Sequence, residues 1–187
     1  MSTNWPELIR QSVLDPRRAA PIIVNIPLDR SAIFLGLALV ACLNGIFYGL
    51  VLPMEFQVEA FASPVPLALA VGVIVWLSAA ALTVVGRLFG GEGTLETLLR
   101  VGIWMQLIRL GVQVVLLFVE LLSPSLAWML AMAAWVWGIY MTITFTAAAH
   151  RFDTLLKAVG VLGVSFFGAV LALSVLLAAL GVAPMEI

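Results

Sequence analysis

Four polar side chains stand out in an otherwise apolar stretch: Gln106, Arg109, Gln113 and Glu120. At about 100° per residue of α-helix they fall within an arc of roughly 60°, and Gly102 lies on the same stripe. A guanidinium beside two amides on one helix face has the chemistry to hold an anion, a lipid headgroup or a polar partner helix. In hydrocarbon such a stripe is expensive, since one central Arg costs about 2.5–3.5 kcal/mol on insertion scales. The stripe is therefore expected to face a helix bundle or a partner. Arg109 has no evident counter-ion, because Glu120 is about 16 Å away along the same helix and no other acid lies deep in an apolar segment. The partners open to it are backbone carbonyls, Asn44, Tyr48, the two Gln residues, Thr142, Thr146, water, lipid phosphate or another subunit. The competing reading is snorkelling. Helical side chains lean toward the helix N-terminus, and Arg109 lies about 12 Å from the start of its apolar segment.

Other polar groups invite simpler readings. Thr142 and Thr146 share a helical face and, with Asn44, are expected to make helix contacts or to bond their own backbone. Gly160, Gly163, Ser165, Gly168 and Ala169 form a small-residue run that suits close helix approach. His150, Arg151 and Asp153 read as a solvated loop; with no second His in the chain and Cys42 in an apolar run, a metal role has no support. Trp128 reads as an interfacial anchor, and Trp135 and Trp137 as packing residues. Gly90-Gly91-Glu92-Gly93-Thr94 resembles a phosphate loop only superficially. It lacks the Walker Lys, and Thr94 serves better as the N-cap of a following helix. There is no nucleophile elbow, no HExxH and no catalytic carboxylate pair. The expectation is a protein that is not an enzyme, with no cofactor and no metal.

The elements that carry these residues follow from composition. Of 187 residues, 64% are hydrophobic and 10% charged, against about 25% charged in a soluble domain. The mean hydropathy is +1.18. A soluble fold of this size needs polar cover over roughly 30% of its chain surface, and nine Lys+Arg with ten Asp+Glu do not supply it. The solvent for most of the chain is lipid. The net charge of −1 leaves no footprint for nucleic acid. One cysteine excludes an intrachain disulfide and a Cys-based zinc site.

Five apolar segments run from about Ala32 to Leu52, Leu67 to Val85, Val101 to Leu122, Leu126 to Ala148 and Leu155 to Leu180. Each suffices to cross a core of about 30 Å as a helix, the one open-ended backbone form that lipid tolerates. The fold class is all-α: a polytopic membrane protein with five transmembrane helices over residues 31–187, preceded by an amphipathic segment over 1–30. Pro53, Pro64 to Pro66, the Gly90 loop, Ser123-Pro124-Ser125 and His150 to Asp153 punctuate the spans. Asn4 with Glu7, and then Asp15-Pro16, read as two helix starts in the leading segment. Trp5, Leu8, Ile9 and Val13 form a face suited to the headgroup layer.

Eight of the nine cations fall on one side of a five-span arrangement: Arg10, Arg17, Arg18, Arg30, Arg87, Arg100, Arg151 and Lys157. Glu55, Glu59, Glu120 and Glu186 fall on the other. The positive-inside rule then places the N-terminus in the cytoplasm and the C-terminus outside. No internal repeat supports an inverted-repeat transporter.

These features in this order resemble the Yip family, the Ypt/Rab-interacting membrane proteins, in its short bacterial form. The resemblance rests on the short lead with Asp15-Pro16, the five spans and the Gly90-Gly91-Glu92-Gly93-Thr94 loop. It extends to Trp137 through Ala149 running into His150-Arg151-Phe152 and Leu155-Leu156-Lys157-Ala158. It implies a five-helix fold with a cytoplasmic N-terminus and brings no catalytic residues. The Asp-Leu-Tyr-Gly-Pro motif of eukaryotic members is missing, so Rab binding does not carry over. The expected function is a scaffold or accessory subunit acting through membrane lipids, other membrane-protein subunits or self-association. The alternative is a small-solute or lipid transporter or channel component using the third-segment stripe.

Overall fold

The computed structural model describes residues 4–51 and 63–179. Leu52, Pro53, Glu55, Glu59, Leu180 and Glu186 lie outside the described residues. Seven helices account for nearly all of the rest: α1 (Trp5–Leu14), α2 (Pro16–Val24), α3 (Arg30–Val51), α4 (Pro64–Leu88), α5 (Leu95–Leu122), α6 (Pro124–His150) and α7 (Leu155–Ala179). No strand occurs among the described residues. The five from α3 onward are each long and apolar enough to cross a membrane. The chain is an all-α, multi-pass membrane protein.

The local chemistry explains where each helix begins. Asn4 and Asp15 accept the backbone N–H groups of Glu7 and Arg18 through their side chains, which starts α1 and α2 at the expected places. Thr94 accepts the N–H of Thr97 at the head of α5. Ser123 ends α5 and caps α6 at once, its hydroxyl accepting the Leu126 N–H, with Pro124 in the first turn. Inside the spans, lone polar side chains bond the carbonyl one turn back: Asn44 to Val40, Thr83 to Ala79, Thr142 to Gly138 and Thr144 to Tyr140. That route satisfies a hydroxyl or amide without needing a neighbour.

Helix α3 packs on α4 and α5, α5 on α4 and α6, and α7 on α4 and α6. The short helix α2 lies against α5 and α6, and α1 against α2. The end of the bundle that carries Arg30, the Gly90 turn and His150 is called the basic end here. The buried core lies in that half: Ile33, Leu37, Val75, Ala79, Leu98, Leu99, Trp104, Met141, Phe145 and Ala149, closed by Leu8, Ala19, Ala20 and Ile23. In the other half Phe118, Leu121, Leu122, Trp128 and Met129 point outward. Lipid tails are as apolar as Leu, so nothing drives these side chains inward. Trp135 corrects an expectation here. It is 64% exposed and lies on the outside of the bundle rather than within it.

The leading segment is bonded to the bundle. Trp104 Nε1 donates to Ser12 Oγ at 2.9 Å, with Ser12 fully buried, and Trp137 Nε1 donates to the Val13 carbonyl at 2.7 Å. Arg100 donates to the Val24 carbonyl. Trp137 is therefore a tether from α6 to α1. Both indoles combine a large apolar body with one N–H that needs an acceptor, and α1 supplies both acceptors.

Candidate functional site

The polar stripe of α5 meets α3 as a two-rung ladder. Asn44 and Arg109 each lie fourteen residues past the first residue of their helix, Arg30 and Leu95, about 21 Å along the axis. At that level Arg109 Nη2 donates to Asn44 Oδ1 at 3.4 Å. One turn further from the basic end, Gln113 Nε2 donates to Tyr48 Oη at 3.1 Å. Asn44 is fully buried, and its own amide N–H is spent on the Val40 carbonyl at 2.7 Å. That bond orients Oδ1 toward α5.

The ladder leaves much unsatisfied. Arg109 carries five N–H donors, and among the described residues its one hydrogen bond to a side chain is the long contact to Asn44. None of the ion pairs among the described residues includes it. Arg109 is exposed on the bundle surface near the middle of α5, and Glu120 is exposed near its far end. Gln113 Oε1 and Gln106 Oε1 are buried without a hydrogen-bond partner. The structure thus brings Asn44, Arg109 and Gln113 together and leaves Glu120 apart. The Arg109 side chain bonds Asn44 at its own level.

Gln106 turns to another place. With Ser78, Thr142 and Thr146 it lines a crevice of about 200 Å³ between α4, α5 and α6, whose other walls are apolar side chains such as Val75 and Leu98. In the small-residue run of α7, Gly160 lies where a Cβ would meet the Phe89 ring at 2.9 Å, so it is a close-contact position. A Cβ at Gly163 would meet nothing within 4 Å. Gly163 is therefore not a close-contact position.

The basic end holds the largest departure from expectation. His150 is 1% exposed rather than part of a solvated loop. Its Nδ1 accepts the Gly93 N–H at 3.1 Å, and its carbonyl accepts the Glu92 N–H at 3.1 Å. A ring nitrogen that accepts carries no proton, which assigns the neutral imidazole with its hydrogen on Nε2. Phe152 stacks on the ring at a centroid distance of 5.2 Å. Three glycines make room for it. A methyl at Gly86 would overlap the imidazole, and methyls at Gly91 and Gly93 would approach it to 2.5 and 2.6 Å. The chain turns into this position through Arg151 in the left-handed region at φ 55°. The Phe152 N–H then closes on the Ala147 carbonyl at 2.9 Å in a Schellman-type ending. His150 thereby clamps the end of α6 to the α4–α5 turn.

Glycines at 86, 91 and 93 were the available sign of this clamp, and a glycine-rich turn does not say which side chain fills it. Among the described residues no group of three or more His, Cys, Asp or Glu side chains converges on one point. Asp153, on the neighbouring turn, has its carboxyl held below the usual range chiefly by the hydrogen bond from Lys157 at 2.7 Å.

The family profile of the Yip1 domain matches residues 10–177. That interval takes in the second half of α1, the ladder, the glycine turn and the His150 clamp. No curated protein and no solved structure matches the chain.

Proposed function

The chain belongs to the Yip1 domain family, and from that premise we propose that it is a non-enzymatic membrane protein acting through protein or lipid contacts. In this reading it is a scaffold or an accessory subunit of a larger membrane complex. The observation that carries the reading is Arg109, a cation near the middle of a membrane-length helix, exposed on the bundle surface and met by one 3.4 Å contact. An uncompensated Arg there costs about 2.5–3.5 kcal/mol on insertion scales, and a contact made outside the chain offsets that cost. The eight cations of the basic end favour the cytoplasmic side for that end, and so a cytoplasmic N-terminus and a periplasmic C-terminus in a bacterial inner membrane.

Gentle extraction of the tagged protein, followed by a native gel and mass spectrometry, tests the reading. Co-migration of the wild-type chain with a defined set of membrane proteins is the expected result. A chain that migrates alone and carries no stoichiometric lipid would sink it.

One observation favours a second reading, a small-solute or lipid transporter or channel component. Gln106, Thr142 and Thr146 give the α4–α5–α6 crevice a polar wall within the span. Purified protein in liposomes would then move a solute or lipid, and Gln106→Leu would reduce the flux. Absence of flux across a broad panel removes this reading.

A further inference from the structure

We infer that the groove between α3 and α5 at Arg109 receives a carboxylate from a transmembrane helix of a different membrane protein. The inference rests on the accessory-subunit reading and names what the contact is. Four sources of a counter-ion are conceivable, and the geometry separates them.

The chain's own acids are the first. Among the described residues Glu7, Asp15, Asp29, Glu92, Glu96 and Asp153 all belong to the basic end, and none pairs with Arg109. Glu120 lies about 16 Å further along α5. Glu55, Glu59 and Glu186 lie outside the described residues and are dealt with in the test below.

A lipid phosphate is the second. Helix α5 has 28 residues, and Arg109 lies about 12 Å along the axis from Val101, where the apolar run begins, and about 20 Å from the far end of the helix. Phosphates lie outside a core about 30 Å thick, roughly 15 Å from its midplane. A snorkelling Arg closes such a gap by extending along its helix. Here the guanidinium contacts Asn44, which lies as far into α3 as Arg109 lies into α5.

A second copy is the third. Two copies in one membrane share an axis along its normal, so equivalent α5 helices run parallel and bring Arg109 to Arg109. Pairing Arg109 with the other copy's Glu120 needs a slide of about 16 Å along the membrane normal. Such a slide exposes apolar ends to water.

The fourth is a carboxylate at the centre of a foreign span. It meets the guanidinium at the right depth. It also finds the free N–H donors of Arg109 arranged for a two-point pair, the strongest form of charge-assisted bond. An acid in a span is as costly alone as the Arg, so each charge makes the other's membrane position tenable.

The test uses the full-length chain co-expressed with a designed probe, a single Leu/Ala transmembrane helix bearing one Asp at its centre. The comparison helix has Leu at that place. After mild extraction, native mass spectrometry reads retention of the probe. The Asp probe is expected to be retained at least tenfold more than the Leu probe. Arg109→Leu should reduce it to the Leu level, and Arg109→Asp should instead retain a Lys-centred probe. A tryptophan-fluorescence melt of each variant shows whether it is folded. The swapped pair keeps the test decisive if one single variant is not.

Equal retention of Asp and Leu probes overturns the inference. So does Asp-probe retention that survives Arg109→Leu, or a wild-type chain isolated as a dimer or with bound anionic phospholipid that excludes the probe. If Glu55→Gln/Glu59→Gln/Glu186→Gln raises Asp-probe retention tenfold or more, the counter-ion is the chain's own, and the inference falls. The source membrane separates this failure from that of the parent reading. Identical partners for wild type and Arg109→Leu remove the inference and leave the accessory-subunit reading. A wild-type chain that migrates alone yet retains the Asp probe removes the parent reading and keeps the site.

Discussion

The His150 clamp joins α6 to the turn before α5, the Arg109 ladder joins α3 to α5, and the two polar sites differ in how far they are enclosed. At the basic end a buried imidazole has its Nδ1 engaged by the Gly93 N–H, an aromatic ring stacked on it and three glycines shaped around it, and its Nε2 is buried without a hydrogen-bond partner. At mid-span a guanidinium has one long contact and an exposed face. A closed polar site stabilises the chain that contains it. An open one in hydrocarbon costs that chain free energy unless something outside completes it. On the proposed reading the contrast assigns the clamp to folding and the ladder to association.

Substitutions break or sharpen that contrast. The largest effect belongs to His150→Ala, which empties the clamp and strands the buried Gly93 N–H. A loss of about 4 kcal/mol is expected, read as a lowered melting temperature in detergent. Arg109→Leu works in the opposite direction. Membrane insertion of the third span should improve by about 3 kcal/mol in a glycosylation-based insertion assay. A destabilised chain in that variant would erase the distinction between the two regions.

Gly86→Ala should cost about 2 kcal/mol, the scale of overpacking a filled site. His150→Ala in the same chain should relieve part of that cost, a coupling that a double-mutant cycle measures. Trp104→Phe keeps the apolar body and removes the N–H that holds Ser12. It should cost about 1 kcal/mol and raise proteolytic cleavage in α1 before any change in the spans. The smallest effect belongs to Glu92→Gln. Its pair with Arg151 at 3.1 Å is exposed to solvent, where ion pairs contribute little, so the melting temperature should not move measurably.

Much of the architecture was legible from residue types. The five spans, the helix starts at Asn4, Asp15 and Thr94, the turn at Ser123 and the sorting of eight cations to one end all follow from local rules: hydropathy, side-chain acceptors for free N–H groups, and turn residues. The Arg109–Asn44 contact was within the set of partners open to Arg109, because few polar groups exist at that depth. What escaped was pairing across distance. His150 next to Arg151 and Asp153 reads as solvated, and only the approach of Gly86, Gly91 and Gly93 buries it. Trp135 and Trp137 are two residues apart and equally apolar in sequence, yet one faces lipid and the other bonds Val13.

The sequence by itself therefore determined the class of solvent, the number of spans and their ends, because these depend on each segment's own transfer free energy and caps. The tertiary structure alone decided which polar groups are closed and which are open. In a bilayer, hydropathy is the same whether an apolar face meets a helix or a lipid tail. It is helix packing that buries His150 and leaves Arg109 at the surface.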